Sequence, residues 1–283
     1  MRLVTYDSGD GPRAGIWTDD GIRDAWVSLG QPDRSSLREL ITEGLTGQLD
    51  RVDDGPVFPH DGVSLLPPIT DPEKIICIGL NYRAHAEEFN LDIPEAPTVF
   101  GKFRNSLVGT GTPVTLPRAS RKVDFEAEIA FVIGRRAHEV DEARALDYVA
   151  GYMLLDDLSA RDLQFLTPQW MPGKIFDGAA PCGPWLVTPD EAGPHDGIEI
   201  SLRLNGEMMQ SSSSADLIFS VPELVARLSE WMTLEPGDII STGTPSGVGS
   251  GRQPRVWLGD GDRVEISSPA LGKLITPIVG QPD

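Results

Sequence analysis

Cysteine, histidine and basic charge are all scarce in this chain of 283 residues. The two cysteines, Cys77 and Cys182, have no C-x-x-C spacing and no second pair, which argues against a disulfide framework or a zinc-thiolate cluster. The four histidines, His60, His85, His138 and His195, are too few and too scattered for a histidine-rich metal site, so any divalent cation must be held by oxygen. Basic residues number 24 against 43 acidic ones, a formal net charge of -19. Such a surface repels phosphate backbones and anionic membranes, so neither nucleic acid nor a membrane is the expected partner. An acidic small molecule could bind only where a cation or a few placed Lys and Arg gather positive charge. No apolar run approaches the roughly 18 residues of a membrane span, and M-R-L-V-T-Y-D-S-G-D lacks the apolar stretch of a signal peptide; a reducing cytoplasm is the expected location. Internal repeats and regular β-α alternation are missing too, so a doubly wound sheet is not expected.

What is present is a 40% hydrophobic composition, ample for a core, and many short strand signals. Residues 1 to about 66 offer R-L-V-T-Y and A-G-I-W-T as strands and S-S-L-R-E-L-I-T-E-G as a helix. In L-L-P-P-I-T-D-P-E-K, three prolines deny helix and limit sheet pairing, so the chain divides into a small domain over 1–68 and a larger one over 69–283. The larger part reads mostly as strands, among them K-I-I-C-I-G-L, Y-V-A-G-Y-M-L-L-D-D and G-P-W-L-V-T. Asn205-Gly206 predicts a two-residue hairpin turn, and the run Ser211–Ser214 a loop. V-P-E-L-V-A-R-L-S-E-W-M predicts a helix with Pro222 at its first position and a stripe of Leu224, Val225, Leu228 and Trp231.

The stretch D-F-E-A-E-I-A-F-V, residues 124–132, carries acids where a buried strand should not. Alternation puts Asp124, Glu126, Glu128, Ala130 and Val132 on one side and Phe125, Ala127, Ile129 and Phe131 on the other. The second side is core. The first fits either a solvated edge or a metal site. Y-M-L-L-D-D-L-S-A-R-D ends an apolar strand on Asp156 and Asp157, with Asp162 following, and two Glu plus one Asp would suit a hard cation such as Mg²⁺, Mn²⁺ or Ca²⁺. Asp157 could equally cap the next turn. His85 and Glu88, three apart in N-Y-R-A-H-A-E-E, would share a helical face as an oriented base or as an incidental surface pair. Lys174, in M-P-G-K-I-F-D-G, could neutralise an anionic substrate, although a lone lysine need not. Arg161 and Gln164 could grip a carboxylate, or Arg161 could simply pair with Asp157 or Asp162. The Gly-rich S-T-G-T-P-S-G-V-G-S-G, 241–251, matches neither phosphate-loop pattern, yet it could bring backbone amides and Thr244 to a small ligand.

In their order, K-I-I-C-I-G-L-N-Y-R-A-H-A-E-E, V-D-F-E-A-E-I-A-F-V-I-G, G-Y-M-L-L-D-D-L-S-A-R-D-L-Q, G-K-I-F-D-G-A-A-P-C-G-P-W, L-N-G-E-M-M-Q and M-T-L-E-P-G-D-I-I-S-T-G-T-P-S-G-V-G resemble the fumarylacetoacetate hydrolase family over residues 74 to about 249. The resemblance implies a β-rich α/β fold, a mixed β-roll with a small N-terminal α+β domain, usually paired as a homodimer. It implies Glu126, Glu128 and Asp157 as Mg²⁺ or Mn²⁺ ligands and His85 with Glu88 as a catalytic pair on a segment that closes over the substrate. It also implies Arg161, Gln164, Lys174 and Thr244 as substrate contacts, with Lys174 catalytic as well, stabilising the charge that develops in the reaction. Three positions depart from the family pattern: Asp156 where Asn is frequent, Ile175 where Ser follows the lysine, and Phe103 where Pro follows Lys102. The implied substrate is a 2-oxo acid. The activity expected is hydrolysis of a 2,4-dioxo acid to pyruvate and a second acid, with decarboxylation or isomerisation reachable from the same site and a non-catalytic binding protein as the remote alternative.

Overall fold

The computed structural model describes residues 1–51 and 55–281. Two mixed sheets carry the fold. The larger has twelve strands, and its central path runs Arg2–Asp7, Ala180–Val187, Val149–Asp156, Ala127–Ile133, Ile239–Ser241, Ile75–Gly79 and Thr98–Lys102. Most neighbours are antiparallel, but Ile239–Ser241 runs parallel to Ile75–Gly79. The smaller sheet has five strands in the order Glu207–Ser213, Glu199–Leu204, Arg263–Ser268, Gly272–Val279 and Val114–Thr115. The architecture is the mixed, β-rich α/β fold expected from the sequence. Among the described residues, no helix is long and apolar enough to cross a membrane.

The central strand is buried on both faces, which is why its sequence is not a simple polar-apolar alternation. Ala127, Ile129, Phe131 and Ile133 pack into one core with Ile200, Leu202, Ile266 and Leu274 of the smaller sheet. Ala130 and Val132 enter a second core with Met153, Leu155, Leu3, Trp26, Leu37 and Leu40. The N-terminal residues therefore share sheet and core with the rest, since Arg2 and Leu3 pair with Val187 and Leu186. The helix Leu37–Thr42, capped by the Ser36 side chain on Glu39 N–H, supplies three of these apolar contacts through Leu37, Leu40 and Ile41.

Asn205 and Gly206 both take positive φ, 52° and 87°, and Leu204 pairs with Glu207, the two-residue hairpin the sequence predicts. That turn sets the first pairs, Leu204 with Glu207 and Arg203 with Met208, and the register then shifts at Leu202. Ser211, Ser212 and Ser213 pair with Ser201, Ile200 and Glu199, so the expected loop at 211–213 is strand instead. A ladder needs backbone groups, and serines satisfy it without apolar side chains. The helix Val221–Trp231 begins one residue before Pro222, with Ser220 as its cap. Val221, Leu224, Val225 and Leu228 form its buried stripe; Trp231 falls on the last turn, beyond the core edge, and is 50% exposed.

Candidate active site

The segment read as one strand over 124–132 is broken. Val123–Asp124 pairs with Ser159–Ala160, whereas Ala127–Ile133 pairs with Val149–Asp156, leaving Phe125 and Glu126 as a corner between two pairings. The corner is sewn by Asp157 N–H donating to Glu126 O at 3.0 Å and Glu126 N–H donating to Asp156 Oδ1 at 3.0 Å. Adjacent strand residues point to opposite sides, so fixing Asp156 on the corner backbone sends Asp157 the other way, toward Glu126 and Glu128. Burial pushes the Asp156 carboxyl up to about 8, which favours the protonated form at neutral pH, and its Oδ1 serves the Glu126 backbone much as an asparagine oxygen would.

Glu126, Glu128 and Asp157 are all buried, and each offers a carboxylate oxygen within 4.8 Å of the others. Three like charges so close demand compensation, and it is uneven. Burial alone would raise Glu126, but Arg161 and Lys174 outweigh it and hold the carboxyl well below its usual range. Glu128 has no cation bonded to it, and Lys174 is the weakest influence on it. Burial, then Asp157 and Glu126, push it well above the usual range, against hydrogen bonds from the Ser241 hydroxyl and Gly243 N–H. An all-oxygen set with an unneutralised carboxyl fits a hard divalent cation such as Mg²⁺ or Mn²⁺.

Lys174 Nζ donates to Glu126 Oε2 and Asp157 Oδ2, both at 2.7 Å, and lies 4.9 Å from the Phe100 ring centre. Burial would lower its pKa, yet Asp157 and Glu126 raise it above normal, so the ammonium stays charged. Arg161 pairs with neither Asp157 nor Asp162, the partners its sequence neighbourhood suggests. Its guanidinium meets Asp124 Oδ2 at 2.9 Å and Glu126 Oε1 at 2.6 Å, and donates to Gln164 Oε1 at 3.0 Å. Asp162 is taken instead by the Ser120 hydroxyl and Arg121 N–H. Thr244 donates its hydroxyl to Ala127 O at 3.0 Å and accepts from Gln210 Nε2 at 2.8 Å, so it offers a ligand only a remaining lone pair.

His85 and Glu88 do lie on one turn, in the helix Arg83–Glu88, with Nδ1 2.9 Å from Glu88 Oε2. A carboxylate only accepts, so Nδ1 carries the hydrogen and Nε2 is left as the free ring nitrogen. The other Glu88 oxygen accepts Gly247 N–H at 3.0 Å, fastening this helix to the Gly-rich loop. His85, Glu126, Glu128, Asp157, Arg161, Gln164, Lys174 and Thr244 all line a single cavity of about 450 Å³, and Glu88 stands behind His85.

Two residues without an assigned role prove to hold this site together. Asp124 accepts from the N–H groups of Gly249 (2.7 Å), Ser250 (3.0 Å) and Phe125 (3.0 Å) while pairing with Arg161, so it anchors the Gly-rich loop and orients the arginine. Gly249 is obligatory there, since an added Cβ would stand 2.1 Å from Val256 O. Lys102, one of five lysines, has a side chain with no exposure, lies 2.7 Å from Asp157 Oδ1 and donates to the carbonyls of Lys174 (2.6 Å) and Ala179 (2.8 Å). Lys102→Met is expected to cost about 3 kcal/mol in urea unfolding of the metal-free protein, because it leaves Asp157 Oδ1 and the buried carbonyls of Lys174 and Ala179 without their donor, with Lys174 the carboxylate's remaining cation. An unfolding midpoint within error of the wild type would refute that role.

Residues 74–279 match the family described as fumarylacetoacetate (FAA) hydrolase C-terminal. The chain belongs to the fumarylacetoacetate hydrolase family. Over 288 residues it is 40% identical to a mitochondrial oxaloacetate tautomerase of Xenopus laevis, covering 99% of this chain and 90% of that one. Among solved structures it resembles the fumarylacetoacetate hydrolase of psychrophilic Exiguobacterium antarcticum, at TM-score 0.89 and 33% identity over 99% of this chain and 100% of that one. It also resembles maleylpyruvate hydrolase from Sphingobium sp. SYK-6 in complex with manganese(II) and pyruvate, at TM-score 0.83 and 32% identity, with 100% of each chain covered. Members of this family are enzymes, and the acidic trio sits within the matched region.

Proposed function

We propose that this family member interconverts the enol and keto forms of oxaloacetate, or of a closely similar 2-oxo diacid, with Glu126, Glu128 and Asp157 holding Mg²⁺ or Mn²⁺. The end-to-end identity with the Xenopus tautomerase carries the reading, and the site supplies groups suited to it. The reaction removes a proton from the enol oxygen and adds one to the neighbouring carbon, so it needs a base that can return what it takes. His85, with Nδ1–H held by Glu88, has Nε2 available for that exchange. The cation would act as a Lewis acid, stabilising negative charge on the 2-oxygen of the bound acid. Lys174 adds a fixed positive charge, while Arg161 and Gln164 offer donors for the head carboxylate.

The likeness to maleylpyruvate hydrolase supports a second reading, hydrolysis of a 2,4-dioxo acid to pyruvate and another acid. There the same His85–Glu88 pair would deprotonate water. One preparation with Mg²⁺ separates the two: the ultraviolet signal of enol-oxaloacetate is followed alongside pyruvate release from acylpyruvates. Faster enol decay with no pyruvate is the expected result. Pyruvate release from the acylpyruvate, with enol decay at the uncatalysed rate, would replace the first reading by the second.

A further inference from the structure

Lys122 and Arg255 line the cavity and are exposed at its mouth. Among the described residues, neither side chain has an acid or a hydrogen-bond acceptor as partner. That is unexpected in a chain of net charge -19, where the cations deeper in the site, Arg161, Lys174 and Lys102, are all committed to carboxylates. Asp162, also on the cavity wall, already accepts from the Ser120 hydroxyl and Arg121 N–H.

Backbone bonds bring the segments that carry the two cations together. Arg161 N–H donates to Lys122 O at 2.9 Å, and Leu258 N–H donates to Val123 O at 2.9 Å, which lays the 255–258 segment along the start of the strand. Lys122 is four residues from Glu126, hence at most about 13 Å away between Cα atoms. Both side chains line the same cavity of about 450 Å³ as Glu126, Glu128 and Asp157, so a small molecule held at the carboxylates shares that space with the two cations. The same wall also carries apolar side chains, Phe89, Leu91, Phe165 and Trp257. A polar head site, an apolar span and an unpaired cationic rim match a molecule charged at both ends.

We propose that Arg255, assisted by Lys122, binds a second carboxylate at the far end of the bound acid and so selects 2-oxo diacids over 2-oxo monoacids. The proposal rests on the reading that the head of a 2-oxo acid binds at Glu126, Glu128 and Asp157. Arg255 presents a planar fork that a carboxylate can take with both oxygens, and Lys122 adds a point charge.

The test uses a matched pair of five-carbon ligands, 2-oxoglutarate and 2-oxopentanoate, which differ only in the second carboxylate. Dissociation constants are measured by calorimetry with Mg²⁺ on the wild type, Arg255→Ala, Arg255→Lys and Lys122→Ala. The wild type should hold 2-oxoglutarate at least about tenfold more tightly than 2-oxopentanoate. Arg255→Ala should erase most of that preference and leave 2-oxopentanoate within about twofold of its wild-type value, while Arg255→Lys restores part of it. Equal affinity of the wild type for both ligands would overturn the distal site alone. So would a variant that weakens both ligands equally. Failure of both ligands to bind the wild type would overturn the head-binding reading and this proposal with it.

Discussion

Glu128→Gln is expected to make the metal-free protein more stable at about pH 8 and, at the same time, to abolish its stabilisation by Mg²⁺. The two effects have one cause. Glu128 is buried beside Glu126 and Asp157 without a cation of its own, so its carboxyl is pushed well above the usual range. A group whose folded pKa is raised makes the folded chain bind protons more tightly than the unfolded one. Stability is then complete below the ordinary carboxylate pKa of about 4.3 and declines as pH climbs toward the shifted value. Glutamine ends that decline, keeps an acceptor for Ser241 and Gly243, and turns a repelling oxygen near Asp157 into a donor. A gain of about 2 kcal/mol, or roughly 5 °C in Tm for a protein of this size, is the expected scale at high pH, shrinking toward pH 5. Asp156, raised to about 8 by burial, contributes a slope of the same sign that persists in the variant.

Metal binding works in the opposite direction, because a ligand carboxyl must be ionised to coordinate. At a hundredfold excess of Mg²⁺ over Kd the wild type should gain about 2.7 kcal/mol, and the glutamine variant almost none. Scanning calorimetry with chelator and with Mg²⁺, at about pH 5.5 and pH 8, reads both. A less stable metal-free variant at pH 8, or an undiminished Mg²⁺ shift, would remove Glu128 from the site.

How much of this site could be read from the sequence depends on whether a residue's neighbours are local. Glu126 and Glu128 were legible because a strand's period of two forces them to one side, and His85 with Glu88 because a helical turn does the same. Asp124 was not, since its partners Arg161, Gly249 and Ser250 lie far along the chain. Lys102 was likewise silent: the carbonyls it serves, on Lys174 and Ala179, come from segments that meet only in the folded sheet. Arg161 shows the intermediate case. A face shared with Gln164 was readable, but its carboxylate partners were not, because the corner at Phe125 and Glu126 turns Asp124 and Glu126 together toward it. The serines at 211–213 misled for a different reason, as their pairing with Glu199–Ser201, beyond a register shift at Leu202 and Arg203, is made by backbone groups and not by side chains.

His85→Ala should lower turnover about a thousandfold, within the range of a lost general acid-base group, while leaving the Mg²⁺-induced rise in Tm intact. The imidazole lines the cavity but is not among the clustered metal carboxylates, so removing it takes away the proton carrier without touching the ligand set. Glu88→Gln separates orientation from proton transfer. An amide can still accept Gly247 N–H, so the loop stays fastened, but it either meets Nδ1–H without charge or presents its own N–H₂ to Nδ1 and reverses the ring's tautomer. The expected loss is smaller, about tenfold to a hundredfold, and should fall on kcat more than on KM because the glutamate acts through the histidine. Added imidazole should restore part of the activity of His85→Gly, where a gap replaces the ring, and none to Glu88→Gln. Near wild-type turnover in His85→Ala would transfer the proton-carrying role away from this helix, and the candidate on the cavity wall that touches the acidic trio would be Lys174. That alternative has a cost built into the geometry: Lys174 is held charged between Glu126 and Asp157, so it would have to give up a proton before it could accept one.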